Sequence, residues 1–273
     1  MSRTRLSRRG FIGGTAGLVV IGGAHPAHAD TYPVTPYLPT PPHLIEAEQF
    51  IDYLTLTDGS RNTYKAPNQP NIVTWGLPGQ PGTWVNQSQC ASFQTAVLKR
   101  TYGWATDEFF TQHFDLASPF ARDYQAAFAT KTIPHLTRVT KVADLRPGDL
   151  VAIDYRNDQD TNTGHIVMVR RVKGTYVAPF DSLNFVGETQ YAVEVADCTA
   201  EPHGMFGFGN YASFPDNRIV DSTTEHDGVG YGHMMFYASE STGAFTRYRW
   251  SVNTASAGTY TVAQRPVSAV RVA

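Results

Sequence analysis

Leu145-Arg146-Pro147-Gly148-Asp149-Leu150-Val151-Ala152-Ile153-Asp154-Tyr155 is the stretch whose reading decides the fold. Pro147-Gly148 sets a tight turn, and the run Asp149–Tyr155 that leaves it has the alternation of a strand. A polar loop follows, and Gly164-His165-Ile166-Val167-Met168-Val169 opens a second strand that continues to Val172. Tyr191–Asp197 is a third. His233–Ala238 and Phe245–Ser251 flank Ser241-Thr242-Gly243, the pattern of a hairpin. Val267–Val272 can close the sheet.

Before residue 140 the texture is helical. Leu44, Ala47, Ile51 and Leu54 lie on one stripe. A second helix starts at Cys90, with Phe93, Val97 and Leu98 on a common face and Gly103 as its stop. A third starts at Thr106 or Asp107. A fourth starts at Ser118-Pro119, and Phe120, Tyr124 and Phe128 recur along it every four residues as a core stripe. Residues 60–89, rich in Pro, Gly and Asn, are expected to be loop with one short strand near Ile72–Trp75. Helices first and strands after them predict an α+β domain with a largely antiparallel sheet.

The N-terminus reads as an address. Ser7-Arg8-Arg9-Gly10-Phe11-Ile12 is a twin-arginine element, an apolar run extends to Gly23, and Ala27-His28-Ala29 offers the small residues a signal peptidase needs. That run is too short for a membrane anchor, which takes about 20 apolar residues. The expected organisation is a signal peptide over 1–29, a proline-rich linker over 30–43 and one domain over 44–273, placed outside the cytoplasm. The chain has 22 basic and 24 acidic residues; without the signal's Arg3, Arg5, Arg8 and Arg9 it has 18 against 24, a formal −6. No basic run remains, which argues against nucleic acid or an anionic membrane surface as partner. No membrane span is expected in the mature chain, and a monomer is expected.

Val85-Asn86-Gln87-Ser88-Gln89-Cys90-Ala91-Ser92 places a cysteine where a polar segment becomes a helix. There the helix dipole and free backbone N–H groups favour a thiolate. A helical cysteine is most often a small buried hydrophobe. The four polar residues Asn86–Gln89 before Cys90 predict an exposed turn instead. The twin-arginine route carries folded proteins, so Cys90 and Cys198, the two cysteines of the chain, are expected as free thiols.

Cys90 at a helix start, the Leu145-x-Pro147-Gly148-Asp149-Leu150-Val151 strand opening and the Gly164-His165-Ile166 strand, in that order, resemble the NlpC-type and CHAP-type branches of the papain-like cysteine peptidases and amidases. The resemblance covers about residues 80–200. It implies a papain-like fold with N-terminal helices packed on the sheet, and a thiol hydrolase that needs no cofactor or metal. It makes Cys90 the nucleophile and His165 the base. The third polar residue, on the next strand, matches Asp197, which would fix the His165 tautomer. The oxyanion would be met by the Cys90 N–H and one side chain before the helix, Gln87 or Gln89; spacing does not choose between them. Gln89 and Ala91-Ser92 depart from the Asp and Ser-Gly that flank the cysteine in many NlpC-type members, and the Gln-Cys pair is closer to the CHAP-type pattern. The implied substrate is an amide, in particular a cell-wall peptide. A non-catalytic binding module of the same fold and the same thiol chemistry on an ester or in acyl transfer are the alternatives.

Other constellations carry less. Asp158-Gln159-Asp160-Thr161-Asn162-Thr163-Gly164 begins like a calcium loop, but lacks glycine at its sixth position and a carboxylate at its twelfth, Val169. His226, Asp227 and His233 lack the spacing of a zinc site. Gly228-Val229-Gly230-Tyr231-Gly232 lacks the Lys-Ser/Thr of a phosphate loop and is expected to be a tight turn. Asp149 is expected to cap its turn rather than take part in chemistry.

Overall fold

The computed structural model of the chain describes residues 39–55, 59–157, 162–207 and 210–273. The expected export signal over 1–29, residues 30–38 of the expected linker and residues 158–161 of the calcium-like loop lie outside them.

Helix α1 (Pro42–Thr55) begins inside the expected linker. Proline suits a first helical turn, and the Pro41 carbonyl accepts from the Leu44 and Ile45 N–H groups at 3.0 and 3.2 Å. Its stripe of Leu44, Ala47, Phe50, Ile51 and Leu54 is fully buried. Each large side chain of that stripe contributes about 1.5–3 kcal/mol by leaving water, and Phe50→Ala would cost about 3–5 kcal/mol.

The segment expected to be mostly loop forms a small sheet instead. Strands β1 (Asn62–Tyr64), β2 (Ile72–Thr74) and β3 (Val85–Ser88) run in the order β1-β3-β2, with β1 parallel to β3. These strands lack an apolar alternation because their buried side chains are polar. Asn86 Nδ2 donates to Asn62 Oδ1 at 3.0 Å. Asn62 in turn bonds the Val229 carbonyl and N–H at 2.9 and 2.8 Å.

Three helices follow: α2 (Cys90–Thr101), α3 (Asp107–Phe114) and α4 (Ala121–Thr130). Thr106 caps α3 by accepting from the Phe109 N–H at 3.2 Å. Helix α4 starts two residues later than the Ser-Pro signal suggests, because Asp123 accepts from the Phe120 N–H at 2.9 Å and makes Phe120 the cap. Phe120 is therefore 47% exposed and leaves the core stripe to Tyr124 and Phe128.

The remaining strands are β4 (Leu136–Val139), β5 (Leu150–Asp154), β6 (Gly164–Thr175), β7 (Glu188–Thr199), β8 (Gly228–Ser239), β9 (Phe245–Arg249), β10 (Thr259–Thr261) and β11 (Val267–Val272). They form one eight-stranded sheet, β10-β9-β8-β7-β6-β5-β11-β4, in which every pairing is antiparallel. The protein is thus α+β. Period two divides the sheet. Leu150, Ile166, Met168, Ala196 and Cys198 face the helices; Val151, Ile153, Val167, Val193 and Val195 face the opposite side with Met234, Phe236 and Tyr248.

The glycine-rich run 228–232 is the first half of β8, not a turn. A Cβ at Gly230 would sit 2.6 Å from Asn217 Oδ1 and 2.8 Å from Arg218 Cδ, so the strand lacks side chains where the 203–218 segment crosses it. Asp149 is structural: buried, it accepts from the Arg146 N–H at 2.8 Å and from Arg271 Nε and Nη2 at 3.0 and 2.8 Å. The Arg271 bonds tie the Pro-Gly turn to β11, the strand beside the β4 edge of the sheet.

Candidate active site

Cys90 is the first residue of α2 and Gln89 its cap. The helix starts here because the Ser92 hydroxyl accepts from the Gln89 N–H at 2.9 Å and donates to Asn71 Oδ1 at 2.7 Å. The Gln94 amide anchors the same turn to β7 through the Ala196 carbonyl at 3.1 Å. Contrary to the expected exposed turn, Cys90 is only 5% exposed. The polar residues before it are spent on the small sheet and the cap, and β1 covers the helix entrance. Cys90 is nonetheless free, as is Cys198.

The Cys90 sulfur lies 3.9 Å from the Gly164 carbonyl oxygen, at the start of β6. Gly164 must be glycine: a Cβ there would collide with the Ile153 carbonyl and come within 3.2 Å of Ala121 Cβ, pushing α4 off the strand. His165 follows, 4% exposed and close enough to Cys90 to feel its charge. Its Nε2 is 2.7 Å from Asp197 Oδ2. Nδ1 is therefore the nitrogen left to meet Cys90. Trp250 packs edge-on against the ring, centroids 4.8 Å apart. Burial by itself would lower the His165 pKa; the Cys90 charge, the Asp197 and Cys90 hydrogen bonds and the Asp197 charge overcome it and raise the value to about 9.

Asp197 is fully buried and accepts three hydrogen bonds: the one from His165, one from His203 Nε2 at 2.9 Å, and one from Arg218 Nη1 at 2.9 Å on its other oxygen. Burial works against its charge, but Arg218, His203 and the two histidine bonds hold its carboxyl well below the usual carboxylate range. Arg218 is itself gripped by Asp216 through Nε at 2.9 Å and Nη2 at 2.7 Å. Both ring nitrogens of His203 face acceptors, Asp197 and the Trp250 carbonyl at 2.8 Å, so both bonds form only when the ring carries two protons.

Cys198 points to the helical face, opposite Asp197, as neighbours on a strand must. Its sulfur donates to the Ser88 carbonyl at 3.3 Å. Burial pushes this thiol up to about 12, the Ser88 and Asn86 bonds offsetting only part. It is a structural thiol. The two glutamines separate as well. Gln89 lines the cavities on both sides of the site. Gln87 lines neither, and its amide donates to the Pro70 carbonyl at 2.9 Å, so it is not placed to meet an oxyanion.

Sequence reasoning missed Tyr64, His203, Asp216 and Arg218. Tyr64 pairs with Ser88 across β1 and β3 and lines both cavities beside Cys90. Burial, then the Cys90, Cys198 and Asp197 charges, raise its pKa, so it stays a donor. Nothing in Thr63-Tyr64-Lys65 signals this. The other three sit in a segment without periodicity; the one available signal was Gly230-x-Gly232, glycines on a single face that mark a close approach.

Two cavities flank the Cys90–His165 pair. A cleft of about 580 Å³ opens on the His165 side, lined by Tyr155, Tyr248, Trp250, Tyr260 and Arg265 among others. A pocket of about 50 Å³ lies on the Cys90 side beside Ser118, Phe120 and Asn162. Among the described residues, His165, Asp197 and His203 present ligand atoms within 4.8 Å of one another, a spacing a metal could use. The Arg218 guanidinium on the same carboxylate opposes a cation there. His226, Asp227 and His233 do not converge into such a group; His233 instead bonds the Pro215 carbonyl at 2.9 Å. No helix among the described residues is long and apolar enough to cross a membrane.

No family model matches the chain, and no solved structure matches it. It is similar to "Uncharacterized protein R653" of Acanthamoeba polyphaga mimivirus, 27% identical over 221 residues that span 78% of this chain and 88% of that protein.

Proposed function

We propose that this chain is a papain-like cysteine hydrolase of the NlpC/CHAP type, exported by the twin-arginine route, that cleaves an amide bond in cell-wall peptide. One observation carries the reading: His165 lies beside Cys90 and its Nε2 bonds a buried, ionised Asp197 at 2.7 Å, which leaves Nδ1 for the thiol. A histidine raised to about 9 keeps its proton at neutral pH, and the proposed reaction starts from a Cys90 thiolate. In the reaction Cys90 Sγ attacks the amide carbonyl carbon, and the developing oxyanion meets the Cys90 N–H, unpaired in the first helical turn. The Gln89 side chain and the Tyr64 hydroxyl are the side-chain donors at hand. His165 Nδ1 gives its proton to the departing amine, and a thioester remains on Cys90. His165 then takes a proton from water, whose oxygen attacks the thioester; the acid leaves and Cys90 recovers its thiolate.

The test uses purified protein on peptidoglycan. Release of new amino groups, lost in Cys90→Ala, together with iodoacetamide labelling of Cys90 near neutral pH, lost in His165→Ala, is the expected result. Full wall-degrading activity in Cys90→Ala overturns the reading.

A further inference from the structure

The large cleft contains a cation that pairs with no carboxylate among the described residues. Arg265 lines it together with His165. Its guanidinium is 3.6 Å from the Tyr260 ring centroid and 4.3 Å from that of Tyr155, so two aromatic rings hold it. Of its five N–H donors, one at Nη1 reaches the Tyr248 hydroxyl at 3.1 Å. Among the described residues the group forms no ion pair, and Glu201, a carboxylate lining the same cleft, does not bridge to it.

Arg138 and Arg249 bond backbone carbonyls, and four other arginines find carboxylates. Arg170 binds Glu48 and Glu194, Arg247 binds Glu188, Arg271 binds Asp149 and Arg218 binds Asp216 and Asp197. A guanidinium is charged at every accessible pH, and stacked rings fix its plane while leaving its edge free. Such a fork matches a carboxylate, which it grips with two parallel hydrogen bonds. Tyr155, Tyr248 and Tyr260, which surround it, are all residues of the cleft wall.

We propose that Arg265 is the specificity residue of this cleft and that the substrate carries a free carboxylate there, on the part of the peptide lying toward His165 rather than toward the small pocket. The inference rests on the hydrolase reading for the word substrate, but the binding site stands on its own geometry. It makes the protein selective for acidic peptides over their amidated forms. Arg265 takes no part in bond breaking.

The experiment separates the two readings by using protein that cannot turn over. Full-chain Cys90→Ala is titrated with a soluble peptide digest of peptidoglycan, and with the same digest after its carboxylates have been converted to amides. Binding is read by calorimetry. The untreated digest is expected to bind about 10- to 100-fold more tightly, the range for a hydrogen-bonded ion pair. Arg265→Gln in the same background erases the preference, and Arg265→Lys, which keeps the charge but loses the fork, restores part of it. Thermal melting of each variant checks that the fold persists. Equal binding of the two digests, no binding of either, or a preference that survives Arg265→Gln overturns the carboxylate site. A preference that follows Arg265 in a protein whose parent, with Cys90 intact, hydrolyses nothing supports the site and removes the hydrolase.

Discussion

Asp197→Asn exchanges one oxygen for an NH2 group at the centre of the buried network, and donor counting determines the outcome. The carboxylate accepts from His165, His203 and Arg218. An asparagine has one accepting oxygen. If that oxygen faces the two histidines, the NH2 group opposes the Arg218 guanidinium, donor against donor. If it faces Arg218, the NH2 donates to both histidine Nε2 atoms. The second arrangement satisfies every group: His203 keeps one proton on Nδ1 for the Trp250 carbonyl, and His165 is forced to carry its proton on Nδ1. A neutral His165 with Nδ1–H points a proton at Cys90 and cannot take one from it.

Two magnitudes follow. Arg218 retains Asp216 and the Gly228 carbonyl at 3.1 Å, so Asp197→Asn loses one charge-assisted bond, about 1.5–3 kcal/mol of stability. Asp197→Ala strands Arg218 and both histidines and costs more, about 3–5 kcal/mol. An unassisted thiol is only a few per cent ionised at pH 7, so iodoacetamide labelling of Cys90 at pH 7 falls roughly 30-fold in Asp197→Asn and recovers above pH 9. Turnover falls further, roughly 10³–10⁴-fold, because His165 held as the neutral Nδ1–H tautomer cannot take a proton from the thiol or from water. Mass spectrometry of the labelled protein across pH and urea denaturation of the three proteins provide the readouts. A Cys90 labelling rate at pH 7 within threefold of the parent, or an asparagine variant less stable than the alanine one, refutes the reasoning.

Other outcomes follow from the same structure. Gly164→Ala pushes the Ile153 carbonyl and Ala121, at the start of α4, away from β6 and is expected to cost about 1–3 kcal/mol in a denaturant melt, with Cys90 labelling slowed. In native protein near pH 7 one thiol titrates quickly; Cys198, held up to about 12, reacts only on unfolding, and equal rates for both would contradict the buried contact with Ser88. His233, lowered to about 4 chiefly by burial, has its folded pKa below the unfolded 6.5, so the unfolded chain binds the extra proton between these values. Stability therefore falls as pH drops from about 6.5 to 4, by up to about 3 kcal/mol, and His233→Gln flattens that limb of the pH–stability curve. His165 acts in the opposite sense: raised to about 9, its contribution is full below 6.5 and is lost as pH climbs through 9. Replacing Arg8 and Arg9 with lysine is expected to leave the precursor uncut inside the cell, read by fractionation and mass.

The sequence made the large sheet legible and the small one illegible for one physical reason. Strands β5, β6, β7 and β11 bury apolar side chains, so composition and period betray them. Strands β1 and β3 bury Asn62, Asn86 and Ser88 instead, side chains that satisfy one another and resemble a loop when read singly. The candidate site divides in the same way. Cys90, His165 and Asp197 are brought together, each at the end of an element whose pattern can be read. Tyr64 enters from the unreadable sheet, and His203, Asp216 and Arg218 from a segment with no period.

The exposure expected for Cys90 failed through a related error. A run of polar residues suggests contact with water, whereas here the run is occupied with other polar groups. That burial has a chemical consequence. Removed from solvent, the Cys90–His165 pair is governed by its neighbours' charges, and those charges form a chain: Asp216 holds Arg218, Arg218 and His203 hold Asp197, and Asp197 holds His165. Each alternates in sign with the next. Deleting one member leaves its neighbour as an unpaired buried charge, so the segment after residue 200, which sequence alone left without a role, is what keeps Asp197 ionised. Arg218→Met is therefore expected to raise the Asp197 pKa and lower that of His165, moving the pH profile of Cys90 labelling without touching any atom that contacts substrate. An unshifted profile in a variant that still melts cooperatively would show that the chain beyond Asp197 is scaffolding alone.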